Sequence, residues 1–565
     1  MRTRAGLVFL LLSLCLGSAF ATGCGDDDSA PSMEDSYNPY PEENNRNDGD
    51  YDSGYEPPMG EPDDEFIPEE EEFLVREVAT TAAYVFVPNS SPESNTVALI
   101  DGRDYSIRPM PVGREPTVVR AASVEGAGDV AYVLCEGDAT VAIIRADEGA
   151  QDPVDQVNLL RVPREVNALS LSPDGRHLLA YIDPEKPLRA DSGVASLQAA
   201  ALIRLGDTRA DDQVFDLSVT RSVRDIEFTE DSDQAFMVGR EGINRIYLNE
   251  IDGDTFVAPL PLELSGSLFA PTDFEIEVDP AGEYLVARSS DFSGVALYRP
   301  PTDASEASLR FVELSAIPTD IDLYTREDGS PALIATLRAS GEVALIDVNA
   351  SLSAPEDSPA APLILPVAEI SAGLALLTPT GDQALLYSTL VDLPTLGILD
   401  LATSNLRSFE LRNRIRSVAI SPDAATAVVV HKKRDGQPPA DADPLTFFQY
   451  NHGLTLLDMA TGYRRPVLLE GEPADLVLTQ DAEDTSFVYV MQQSDTAAHR
   501  GVTRINLSNY RTDFFKLARH PQQMGLVAGK IFVSQTASEG RITFFDVDTG
   551  AQRTVSGYEL NAGIK

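Results

Sequence analysis

Tryptophan is absent from this chain, and cysteine and histidine nearly so: three cysteines and five histidines in 565 residues. No two of His177, His431, His452, His499 and His520 stand at metal-ligand spacing, which disfavours zinc and copper sites. Cys15 and Cys24 fall in the N-terminal leader, and Cys135 ends an apolar run, Ala-Tyr-Val-Leu-Cys. The sequence therefore offers no intrachain disulfide framework, and it predicts a buried, inert thiol at Cys135. Basic residues are scarce too: 43 Lys and Arg face 90 Asp and Glu, a net charge of −47. That balance excludes nucleic acid, whose phosphates must be met by clustered cations. There is no Gly-x-Ser-x-Gly elbow, P-loop or dinucleotide fingerprint. No stretch keeps a helical hydrophobic period, and no apolar run reaches the ~20 residues of a spanning helix.

What is present begins with an export signal. Arg2 and Arg4 precede a short apolar segment around residues 7–16, and Ala21-Thr22-Gly23 leads to Cys24. A short apolar core behind a positive start reads as a cleaved signal peptide over residues 1–23. Small residues directly before a cysteine resemble the lipobox of bacterial lipoproteins, with Ala21 where leucine is usual. The resemblance implies that Cys24 carries lipid and ties the chain to a membrane of the cell envelope, the outer membrane being expected. Each buried methylene contributes roughly 0.8 kcal/mol, so two or three acyl chains anchor stably.

Residues 24–75 differ in composition from all that follows. Asp26-Asp27-Asp28, Asp48 to Asp52 and Glu69 to Glu72 sit among Pro, Asn, Ser and Gly. Such a segment cannot bury enough apolar surface to offset its ordering entropy, so the sequence predicts a disordered acidic tether.

From residue 76 to 565 one pattern returns about every 50 residues. An apolar strand runs into a turn such as Ser172-Pro173-Asp174-Gly175, Asp279-Pro280-Ala281-Gly282, Thr378-Pro379-Thr380-Gly381 or Ser421-Pro422-Asp423. A second apolar strand follows, and a third ends in an acidic turn. Val97-Ala98-Leu99-Ile100-Asp101 returns as Val343-Ala344-Leu345-Ile346-Asp347, and again as Leu454-Thr455-Leu456-Leu457-Asp458. Nine full units and a partial one over residues 84–112 can be marked. A unit of three or four short antiparallel strands cannot bury both faces alone, whereas radial stacking buries every face. The fold class expected is all-β: a β-propeller of about seven to ten blades. These repeats resemble the YVTN type of bacterial β-propeller, although the missing tryptophan departs from WD-repeat and quinoprotein signatures.

Two features carry candidate chemistry. Acids alternate with apolar residues where the innermost strands begin: Asp225 and Glu227, then Asp273, Glu275 and Glu277, then Asp320 and Asp322, with Asp475 later. Asp225, Asp273, Asp320 and Asp475 are the candidate metal ligands, since hard cations such as Ca²⁺ take oxygen-rich sites. The plainer alternative is that these acids bond strand-entry backbone groups. The second feature is an insertion after His431, in which Lys432, Lys433 and Arg434 precede Phe447, Phe448 and Tyr450. Aromatic residues and arginine are typical interface anchors, so these six are the candidate partner contacts; alternatively, the aromatics cap the blade. The sequence thus points to a lipid-anchored envelope scaffold or receptor for a protein or peptidoglycan-associated partner. The likeness of the repeat class to propeller lactonases implies the alternative, an envelope hydrolase using a metal and channel carboxylates.

Overall fold

The computed structural model describes residues 79–558, apart from 90–93, 147–152, 187–195, 241, 261–274, 291, 302–305 and 356–357. The expected signal, Cys24 and the tether lie outside the described residues.

Within them the chain forms ten successive sheets, antiparallel except at one edge of the third. Seven are simple four-stranded meanders, and the third gains a fifth strand. Blade one has three strands, Tyr84–Pro88, Thr96–Asp101 and Ile107–Pro111. It is the unit that appears partial in the sequence. Blade four also has three among the described residues; the chain after Gly242–Tyr247 first visits blade three and then returns to bridge Asn244 through Pro259. The two residues Thr255–Phe256 run parallel to Gln213–Ser218 on the edge of blade three.

The sheets are apolar on both faces, and ten separate cores record how they stack. Each core is shared by two consecutive blades. Tyr132, Leu134 and Ile143 of blade two, for example, pack with Leu169, Leu178 and Ile203 of blade three. The tenth core joins the ends of the chain: Val85 and Ile100 of blade one meet Val527, Phe532, Phe544 and Tyr558 from blade ten and the residues after it. Ten interfaces among ten blades make one closed ring. The first strands of neighbouring blades lie beside one another, as Asp320–Thr325 does beside Leu374–Leu377, so they form the inner wall of a central channel.

Turn chemistry explains why the sequence breaks where it does. In the Ser-Pro-Asp-Gly turn of blade three, Ser172 Oγ accepts from the His177 amide (3.0 Å) and Asp174 Oδ1 from the Arg176 amide (2.9 Å). Gly175 sits at φ 71°, where a Cβ would meet the Ala122 methyl at 2.6 Å. The Gly175 carbonyl also accepts the Tyr132 hydroxyl of the preceding blade (2.7 Å). Third strands end in a second device. Asp458, Asp400 and Asp546 each accept the amide of the threonine three residues on, at 2.7 to 2.8 Å. The acidic turns seen in the sequence are side-chain-bonded turns of this kind.

Candidate functional site

The acids of blades four to six share one arrangement. Their first strands read Asp225-Ile226-Glu227-Phe228, Glu275-Ile276-Glu277-Val278 and Asp320-Ile321-Asp322-Leu323. Ile226, Ile276 and Ile321 turn back into the core shared with the preceding blade. Because strand side chains alternate in direction, the acids are directed toward the following blade. Asp320 Oδ2 accordingly accepts the Ala375 amide of blade seven at 2.7 Å. Arg288 pairs with Glu275 and donates to the Pro318 carbonyl of blade six at 3.2 Å. Glu277 is crowded by this array. Desolvation, then the charges of Glu227, Glu275, Asp320 and Asp225, push its carboxyl well above the usual glutamate range.

The three described candidate metal ligands are spread around the ring rather than gathered. Asp225, Asp320 and Asp475 belong to blades four, six and nine, and Asp273 lies outside the described residues. Asp225 Oδ1 and Asp475 Oδ1 each accept the next residue's amide at 2.8 Å. Among the described residues no group of three or more acids, histidines or cysteines stands close enough to hold a metal ion. Backbone bonding, the plainer alternative, is what the geometry displays at Asp225, Asp320 and Asp475. Register adds one residue to the pattern. Asp225 pairs with Val238 and Glu275 with Arg288, at matching places in blades four and five. Glu275, not Asp273, therefore stands at the position of Asp225. Aligning the turn at Asp279 with the one at Thr229 would have revealed it.

The insertion of blade eight joins the strands Thr426–His431 and Gly453–Asp458. It folds into the short helix Pro444–Gln449, capped where Asp443 accepts the Thr446 amide at 2.8 Å. The Lys432 amide donates to the Arg414 carbonyl (3.0 Å), and the Arg434 amide to the Gln449 carbonyl (2.7 Å). Gln449 Nε2 reaches the Arg412 carbonyl at 3.1 Å, tying the helix to the chain entering blade eight.

One expectation for this segment is corrected. Phe448 is buried: its ring meets that of His431 edge-on at 5.6 Å and lies over Gly453, where a Cβ would strike it at 2.7 Å. It belongs to the blade, whereas Phe447 is 44% exposed. Tyr450, which ends the helix, and Lys432 are partly covered, and Lys433 and Arg434 are exposed. The sequence reading missed Leu445, 40% exposed on the same helix as Phe447. A proline directly after Asp443, typical of a helix start, was the available signal.

His431 itself is enclosed, bonded to Thr455 Oγ1 (2.7 Å) and the Arg414 carbonyl (3.1 Å). Desolvation lowers its pKa to about 4, keeping it neutral. Cys135 is buried as expected, and burial pushes its thiol up to about 11.

The chain matches no known protein family, and no curated protein matches it. Solved structures resemble it at low identity. The dihydro-heme d1 dehydrogenase NirN is 10% identical, with 88% of this chain and 79% of that one covered and a TM-score of 0.38. A eukaryotic initiation factor is 11% identical over 77% of this chain and 97% of its own, with a TM-score of 0.42. Hydrazine synthase of Kuenenia stuttgartiensis is 16% identical over 51% and 80%, with a TM-score of 0.30. These are likenesses of fold alone.

Proposed function

We propose that this chain is a lipid-anchored protein of the bacterial envelope whose propeller, of YVTN type, is a binding scaffold or receptor for a protein or peptidoglycan-associated partner. The anchoring half of the reading rests on the signal-like leader and Cys24, with the acidic segment spacing the ring from the membrane. The binding half rests on one observation above the others. A capped helix in the blade-eight insertion presents Leu445 and Phe447 to solvent, in the segment that also carries exposed Lys433 and Arg434. Apolar anchors beside cations suit a partner whose acidic rim the rest of this protein would repel.

Two variants test the halves separately. Cys24→Ser is expected to release the protein from membranes, and retention under high salt would count against the lipid. Leu445→Ser with Phe447→Ser is expected to abolish co-purification of the partner with membrane-bound protein while the melting temperature stays nearly constant. A large loss of stability would return both side chains to the blade and remove the binding surface. A hydrolase reading is favoured by Glu277 alone, whose raised carboxyl has the character of a general acid. Turnover of lactone or ester substrates, lost in Glu277→Gln, would support it.

A further inference from the structure

We propose that the seam between the outer rims of blades seven and eight is a groove that binds an acidic polypeptide segment, a surface that includes neither Leu445 nor Phe447 of the insertion helix. The groove encloses about 450 Å³. Glu410, Leu411 and Arg412 at the end of blade seven form one wall; Tyr463, Arg464 and Pro466 of blade eight form the other.

Three arginines mark this seam. Arg464 lies 5.9 Å over the Phe409 ring and donates to the Glu410 carbonyl at 2.6 Å. Arg407 approaches the same ring at 5.7 Å and donates to the carbonyls of Met459 (2.7 Å) and Ala460 (3.0 Å). Arg412 stands in the groove wall. Backbone carbonyls and ring faces orient these guanidiniums, which keep most of their five donors for a ligand. Among the described residues none of the three pairs with a carboxylate, whereas nearby Arg414 and Arg416 pair with Asp392 and Glu472 at 2.7 and 3.1 Å. Acids outnumber bases 90 to 43 in this chain, so three arginines gathered at one seam without an ion-pair partner form a locally positive surface. Glu410 is the only carboxylate in the groove wall.

Charge complementarity therefore selects an acidic occupant, and two further features select a polypeptide. Tyr463 is 53% exposed and lines the groove with Arg412 and Arg464, the Tyr-plus-Arg composition typical of protein contacts. The strand Arg464–Leu468 is also the last of its sheet, leaving a backbone edge for an extended chain, with one donor withdrawn at Pro466.

The test is fluorescence anisotropy of a short labelled peptide of alternating Glu and Tyr, added to the folded protein at low salt. Binding is expected, weakening as salt rises, and Arg412→Ala with Arg464→Ala should reduce affinity at least about tenfold. If that pair disturbs the seam, Arg412→Ala alone serves in its place. Arg519→Ala, an exposed arginine at the entry to blade ten, should leave binding intact. Absence of binding, equal binding by the rim variants, or equal loss in Arg519→Ala would overturn the groove. Tighter, arginine-dependent binding of polygalacturonate would show a polysaccharide site instead. Loss of peptide binding in Leu445→Ser with Phe447→Ser would move the site to the insertion helix and also overturn the proposal.

Discussion

At the residue scale, His431 and Glu277 carry opposite pH signatures. Folded His431 titrates near 4 and a free histidine near 6.5. Between those values the unfolded chain takes up a proton that the folded ring refuses. Stability from this residue is complete above pH 6.5 and is lost as the pH falls toward 4, by roughly 3 kcal/mol in all. His431→Gln should flatten urea-unfolding stability across that window; an unchanged slope would mean the ring is solvated. Glu277 has the reverse sense, since its folded carboxyl prefers the proton. Its contribution is complete below the ordinary glutamate value and is lost as the pH rises through the raised one. Glu277→Gln should therefore raise the melting temperature at pH 8 and have little effect at pH 4. An equal gain at both would separate the effect from ionisation.

At the element scale, the hairpin turns are the parts most open to test and the parts most legible in sequence. Gly175→Ala forces a side chain into a left-handed backbone and against the Ala122 methyl, a cost of about 1–3 kcal/mol. Chemical denaturation should show that loss, and a neutral variant would mean blades two and three separate easily there. Ala424 already occupies the matching place at φ 54°, so the strain is tolerated where the neighbours leave room. Prolines, glycines and acids at fixed intervals betray these turns, which is why the all-β repeat could be read directly. Blade four was harder, because handing a strand to blade three is a tertiary choice without a local composition mark. Phe448 misled for a similar reason. A six-residue helix is too short for periodicity to tell its buried aromatic from its exposed one. Of the channel acids, alternation was legible, but alignment of the register was needed to place Glu275 beside Asp225 and Asp320.

At the scale of the whole molecule, ring size and ring function follow from different parts of the chain. Ten double-sided blades close through packing of the first against the last, with the Ala528 amide bonded to the Ala82 carbonyl at 2.9 Å. Among the described strands, none from either end completes the other's sheet. Such a ring offers a stable platform, and its inner wall from blade four to blade six is acidic while its basic surface gathers on blade eight. That asymmetry is the physical basis for assigning recognition to blade eight. The most direct measurement is site-specific photocrosslinking in intact cells, with a photoreactive residue at position 447 and a control at position 256, where Phe256 is 66% exposed on blade three. A discrete adduct is expected from 447, lost with Lys433→Glu and Arg434→Glu, and none from 256. No adduct from 447, or the same adducts from both positions, would contradict recognition at blade eight.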